Sequence, residues 1–257
     1  MSDEARVRRA PPPFRRAQVV DVAPRSARLL HVDIAGPELV GIPMPEPAGS
    51  VRVLLPGATG LVIPEWTGNL FVLPDGTRAT IRTLTPVDTD PAQGTLALEI
   101  VLHGPGRAAD WATQLEPGDE LALSGPARGW VMGATDRSVV IAGDESALPA
   151  IRQLVTTAAD RRLTVVIEVG AVDGIVALPV TDPSTVEWVV SLADAPPGTA
   201  LADAVAAMDL EGVDHLWAGG EAAAVQRIRR DLFEVRGWSR DRATVRGYWK
   251  FGRTASG

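Results

Sequence analysis

Ser138-Val139-Val140-Ile141-Ala142-Gly143-Asp144-Glu145-Ser146-Ala147-Leu148-Pro149-Ala150-Ile151 sets the architecture of the second half of this chain. Ser138–Ala142 reads as a short apolar strand rich in β-branched side chains. Asp144 is placed to cap the helix that follows, where Leu148, Ile151, Leu154 and Val155 share one face. Leu163–Val169 is the next strand, apolar nearly throughout, as a strand covered on both faces should be. Val186–Leu192 and Val213–Ala218 are two more. Glu221–Val235 is a helix with Val225, Ile228, Leu232 and Val235 toward the core. Strands alternating with helices predict a parallel sheet covered by helices. Such sheets take ligands beyond the C-terminal ends of their strands. Gly143–Ser146 and Gly219–Glu221 both lie at ends of that kind.

Working outward, the period changes near residue 128. Between residues 14 and 127 the apolar segments are short, alternating and separated by Pro and Gly: Ala17–Val22, Ala27–Ile34, Val51–Leu55, Arg78–Leu84 and Thr95–Leu102. In the last of these, Leu96, Leu98, Ile100 and Leu102 fall on one face. One helix is predicted from Arg107 to Leu115, then a turn at Pro117-Gly118-Asp119 and a strand Glu120–Ser124. This pattern predicts a closed or nearly closed antiparallel Greek-key β-barrel. The expected division is a basic, Pro-rich tail (1–13), a barrel (14–127) and an α/β unit (128–257).

The chain has 257 residues, 46% hydrophobic, which suits two domains of ordinary size with real cores. It contains no Cys, which excludes disulfides and thiolate metal sites. Its net charge of -7 argues against a general nucleic-acid binder. No apolar run approaches a membrane span and the start lacks an apolar leader segment, so a soluble cytoplasmic protein without membrane insertion is expected. His31, His103 and His215 lie in different elements, so no metal site is expected; His31 and His215 read as core or strand-end residues. There is no Gly-x-Ser-x-Gly elbow and no phosphate-cradling Walker loop. Oligomeric state is open.

Two C-terminal segments carry chemistry. Trp217-Ala218-Gly219-Gly220-Glu221 is a strand end opening a helix, where glycines admit a ligand to the backbone and the helix N-terminus favours an anion. Gly247-Tyr248-Trp249-Lys250-Phe251-Gly252 holds the only Tyr and the only Lys of the chain, and its aromatic pair can cover a flat ring. On its residues alone, Asp144-Glu145-Ser146 is a capped helix start, not a G-x-G-x-x-G fingerprint. Glu168 ends a strand where an acid can read a ribose. Arg227, Arg229 and Arg230 read as a solvated face.

These segments together resemble the siderophore-interacting protein family of flavin-dependent ferric-siderophore reductases. Asp144-Glu145-Ser146-Ala147-Leu148-Pro149 is similar to that family's Asp-Glu-Ser/Thr-Ala-Leu-Pro, Trp217–Glu221 to its Trp-x-Ala-Gly-Glu, and Gly247–Gly252 to its terminal Gly-Tyr-Trp-Arg/Lys-x-Gly. Val101-Leu102-His103-Gly104-Pro105-Gly106, Trp111-Ala112 and Pro117-Gly118-Asp119 resemble another family segment, in which Gly106-Arg107-Ala108-Ala109 replaces Gly-Pro-Ala-Ser, losing its hydroxyl while Arg107 offers a charge. Ser124-Gly125-Pro126 keeps a family Gly-Pro. The resemblance implies a ferredoxin-reductase-like FAD barrel followed by an NAD(P)H-binding unit. It places Arg78, Thr80, Arg82, His103, Gly104, Arg107, Ser124 and Gly125 at the flavin. It places Asp144, Glu145, Ser146, Gly219, Gly220 and Glu221 beside the nicotinamide, with Trp249 over a ring and Lys250 and Tyr248 toward the substrate.

The flavin motif of such reductases is Arg-x-Tyr-Ser/Thr, extended in the family to Arg-x-Tyr-Thr-x-Arg. Set against Thr77-Arg78-Ala79-Thr80-Ile81-Arg82, it loses its first Arg to Thr77 and its stacking Tyr to Ala79. Three readings follow. NAD(P)H passes hydride to FAD, and FAD passes electrons to ferric iron in a siderophore. Alternatively, the fold is repurposed without flavin, as a cyclase-type enzyme holding an apolar biosynthetic intermediate in the vacated cleft. Third, the protein binds a siderophore or nucleotide without turnover.

Overall fold

The computed structural model describes residues 10–102, 107–158 and 160–252. Two sheets in sequence form its body. The first is built from β1 (Arg15–Ser26), β2 (Leu29–Ala35) and β3 (Ser50–Leu54), a small hairpin of β4 (Glu65–Trp66) and β5 (Phe71–Val72) lying beside it. It continues with β6 (Ile81–Leu84), β7 (Pro86–Asp90) and β8 (Thr95–Val101), then helix α1 (Arg107–Ala112) and β9 (Glu120–Ala127). The second comprises β10 (Ser138–Asp144), α2 (Leu148–Thr157), β11 (Arg162–Val169), β12 (Thr185–Val190), α3 (Thr199–Ala207), β13 (His215–Glu221), α4 (Ala222–Arg230) and β14 (Ala243–Trp249).

The antiparallel sheet runs β6-β3-β9-β1-β2-β8-β7. Its two edges are consecutive halves of one bent strand: β6 pairs with β3, β7 pairs with β8, and only Thr85 separates them. The sheet therefore closes into a barrel with its single break at Thr85-Pro86. Pro86 has no N–H for the ladder, which is why the strand breaks there. Bulges in β1 let its first residues pair with β9 and its later ones with β2. Ala17, Val19, Val32, Val51, Val53, Leu98, Leu121 and Leu123 fill the interior.

The β8 pattern proves only half right. Leu96, Leu98 and Ile100 do face the core, but Ala97 and Glu99 on the other face are also buried. That face is covered from the second unit, where Arg152 of α2 reaches Glu99.

The second sheet is parallel, in the order β12-β11-β10-β13-β14. Alternate residues of its strands serve opposite layers. Val139, Ile141, Val165, Ile167 and Trp217 pack under α2. Val140, Ala142, Val166, Leu216 and Ala218 pack against α3 and α4. The expected helix Glu221–Val235 is a regular helix only to Arg230, followed by a wider turn over Asp231–Val235. That change of period rotates Val235 out to solvent at 75% exposure while Leu232 stays buried. The helix expected over Arg107–Leu115 stops at Ala112, and Leu115 enters the core from the following turn.

Candidate functional site

The parallel strands end in a tightly tied cluster. Asp144 closes β10, is buried, and accepts hydrogen bonds from Ser146 N and Oγ, Glu221 N at 2.7 Å and the Trp249 indole Nε1 at 2.8 Å. Burial raises its pKa above the ordinary carboxylate range, and these bonds pull the other way. Glu221 closes β13 and caps α4 by accepting from Ala223 N and Ala224 N, while its other oxygen accepts from Phe251 N. The glycines serve the same packing. A Cβ on Gly143 would stand 2.8 Å from the Ala147 Cβ and 2.9 Å from the Gly219 carbonyl, and one on Gly219 would meet the Trp217 ring. Gly220, at φ 153°, brings its backbone against the Asp144 carboxylate.

The structure thus brings Asp144, Ser146, Gly219, Gly220, Glu221 and Trp249 together, as the sequence suggested, but occupies them with one another. Their expected role as open cofactor contacts is corrected accordingly: the N-terminus of α4 is filled by the chain's own Glu221 carboxylate, so its dipole is already answered. Glu145 is also engaged, by Arg28 of the barrel at 2.7 and 2.8 Å. Glu168 does not face a ribose site. It is buried and accepts from Ser191 Oγ, Gly198 N and Leu201 N, capping α3.

Tyr248 turns inward. Its hydroxyl bonds to the Thr85 side chain and its ring meets Trp217 edge-on at 6.2 Å. Burial pushes its pKa up to about 12. It therefore joins the C-terminal strand to the break in the barrel and does not project toward a substrate. Lys250, just past β14, is exposed.

At the barrel the flavin motif takes a different register from the one first drawn. Ala79 is buried with Leu54, Leu61 and Ala122 under Phe14, Phe71 and Leu73, at the hairpin side, where no larger ring has room. Arg78 is exposed and forms an isolated backbone bridge to Val72. Thr80 gives its carbonyl to Leu55 N. The residues reaching the break are Arg82-Thr83-Leu84-Thr85-Pro86-Val87, in which Arg82 and Thr85 stand at the motif's Arg and hydroxyl positions. Leu84 then replaces the Tyr and Val87 the second Arg. The local signal for Leu84 and Thr85 is an Arg three residues before a Thr-Pro.

Ser124 and Gly125 are structural as well. The Ser124 hydroxyl donates to Pro12 O at 2.6 Å, and a Cβ on Gly125 would stand 3.3 Å from Ser50 O. His103 and Gly104 lie outside the described residues, as does the side chain of Arg107, whose backbone opens α1. His215 stacks on Trp130 and bonds to Thr244, a strand-start role. Arg227 pairs with Asp203 and Arg229 bonds to Val245 O. Among the described residues no group of three or more His, Asp or Glu is placed to hold a metal ion.

The donor set at Thr85 fits a flavin dinucleotide in two respects and differs in one. Arg82 supplies a permanent cation for a diphosphate and Thr85 a hydroxyl at the break. Where an aromatic would stack, Leu84 is aliphatic and packs partly against the barrel core.

Residues 18–130 match the siderophore-interacting FAD-binding domain, which makes FAD the cofactor of the barrel, and residues 136–252 match the siderophore-interacting protein domain. The chain is 33% identical to an uncharacterized protein of Mycobacterium tuberculosis, over 71% of its own length and 69% of that protein's. It is 29% identical to the NADPH-dependent ferric-chelate reductase of Escherichia coli over 73% of each. The crystal structure of a siderophore utilization protein from T. fusca superposes with a TM-score of 0.84 at 29% identity, covering 96% of this chain and 97% of that one. The chain belongs to the siderophore-interacting protein family.

Proposed function

We propose that this protein is an FAD-dependent NAD(P)H oxidoreductase that reduces ferric siderophores and so releases their iron. The observation that carries this reading is the meeting of Thr85, at the break in the barrel next to Arg82 and Leu84 of β6, with Tyr248 of the C-terminal strand. The family membership and the ferric-chelate reductase of E. coli support it. The flavin-free, cyclase-type alternative draws no support from these relatives.

When bound, FAD supplies the conversion of a two-electron hydride into single-electron transfers. The chain's own groups bind and orient. Arg82 would neutralise phosphate, Leu84 would give an apolar surface, and Thr85 holds Tyr248 at the break. Asp144 fixes the Trp249 indole, which then excludes water from one side. Exposed Lys250 offers a cation to an anionic siderophore. The barrel (14–127) would carry the flavin and the α/β unit (128–257) the reductant, in a cytoplasmic protein; no described helix is long and apolar enough to cross a membrane.

The test is the visible spectrum of purified protein after FAD loading and gel filtration, followed by anaerobic NADPH or NADH and then a ferric siderophore. Retained flavin bands that bleach with NAD(P)H and recover with the ferric siderophore support the reading. A protein that refuses FAD overturns it.

A further inference from the structure

Glu145 is the first residue past β10, at the C-terminal mouth of the parallel sheet, where ligands of such sheets bind. Its side chain is only 10% exposed. A side chain from the other sheet holds it: Arg28, on the β1–β2 turn, grips it in a two-pronged fork with Nε at 2.7 Å and Nη2 at 2.8 Å. The seat for this pair is shaped by two glycines. A Cβ on Gly170 would stand 2.6 Å from Arg28 Nη2, and one on Gly174 would stand 2.5 Å from Glu145 Oε1. Leu29, Val101 and Leu148 wall the crevice beside it. A surface ion pair needs no such accommodation.

We propose that Arg28 is a positioning residue for the nicotinamide dinucleotide: it neutralises Glu145 at the mouth of the sheet and thereby lets an anionic dinucleotide settle there. This rests on the reading that the protein uses NAD(P)H. An uncompensated, poorly hydrated carboxylate at that mouth would repel the diphosphate, and the pair removes the repulsion. The pairing is also reflected in Arg28 itself, whose pKa is raised chiefly by its hydrogen bond to Glu145. Arg28 belongs to the barrel, so the reductant's affinity depends on a residue outside the unit that binds it.

The experiment titrates NADP+ and NAD+ into the FAD-loaded protein by calorimetry, with flavin content and melting temperature recorded for each variant. Arg28→Met is expected to raise the dinucleotide Kd on the order of tenfold, and the double variant Arg28→Met/Glu145→Gln to return it close to wild type. Arg28→Lys, which keeps the charge and loses the fork, should fall between. Wild-type affinity in Arg28→Met overturns the inference, as does a double variant that stays as weak as the single one while retaining flavin. If wild-type protein holds FAD but binds neither dinucleotide, the nicotinamide reading itself fails and the inference falls with it.

Discussion

The indole Nε1 of Trp249 donates to Oδ2 of Asp144 at 2.8 Å, joining the end of β14 to the end of β10 across 105 residues of sequence. The same carboxylate holds Ser146 and Glu221 N, so one buried side chain fixes three strand ends and the orientation of the Trp249 ring. Removing it strands several donors at once. Asp144→Ala is expected to cost about 3–5 kcal/mol, the range for breaking a buried charged network. Asp144→Asn should cost less, since an amide oxygen still accepts from Trp249. Urea unfolding of the two variants checks the order. Trp249→Phe isolates the single bond and should cost about 1–2 kcal/mol.

The re-registered flavin motif predicts opposite outcomes for two substitutions that introduce the same ring. Leu84→Tyr places an aromatic beside the break and should tighten FAD by roughly tenfold or more, the scale of one stacked base or ring. Ala79→Tyr puts the ring into the packed cluster of Leu54, Leu61 and Ala122 and should lower stability by about 1–3 kcal/mol without improving FAD affinity. Arg82→Ala should weaken FAD more than riboflavin, because only FAD carries the diphosphate. Flavin fluorescence quenching reads all three. Tighter FAD in Ala79→Tyr would return the motif to its first register.

The parallel sheet was legible because its three central strands, β10, β11 and β13, are buried on both faces and so read as apolar runs; Leu163–Val169 appears as β11 with one residue added. The barrel was legible from alternation and turn residues. The place where it closes was not, since the bend at Thr85-Pro86 splits one strand between two neighbours and each half is too short to show a period. The site residues were found by motif, but their partners were invisible. The resemblance places Asp144 and Glu221 beside the nicotinamide; in the structure Glu221 caps α4 and Asp144 holds Trp249, a pairing across 105 residues that leaves no local trace. Arg28 escaped notice for the same reason: nothing near Ser26 announces a carboxylate that lies 117 residues away.

Glu168 separates a capping role from a ligand role. Its carboxylate accepts from Gly198 N at 2.8 Å and Leu201 N at 2.7 Å, the donors that α3 leaves open at its start. Gly198 sits at φ 83°, so the approach to the helix also depends on that glycine. Glu168→Gln should destabilise the protein by about 1–2 kcal/mol and Glu168→Ala by about 2–4 kcal/mol. In both variants the KM for NADH and for NADPH should change together and little. A change confined to one dinucleotide would restore Glu168 as a reader of the ribose.

Tyr248 is the only Tyr of the chain, so absorbance at the tyrosinate band titrates that residue alone. In the folded protein its midpoint is expected near 12, well above the ordinary 10, because burial disfavours the phenolate. The neutral phenol is what burial beside Trp217 favours, against the opposing pull of the Thr85 bond, so its contribution to stability is fully present below the unfolded value of 10 and is lost as pH rises toward and through 12. Unfolded in urea, the protein should titrate at the ordinary value. Tyr248→Phe should remove the alkaline slope in stability between pH 10 and 12 and cost about 1 kcal/mol at neutral pH, the worth of the hydroxyl bond. Thr85→Val should cost more than Tyr248→Phe, because it leaves the Tyr248 hydroxyl buried without that partner. A folded-state midpoint near 10 would mean that Tyr248 faces solvent and that the C-terminal strand does not seal the break in the barrel.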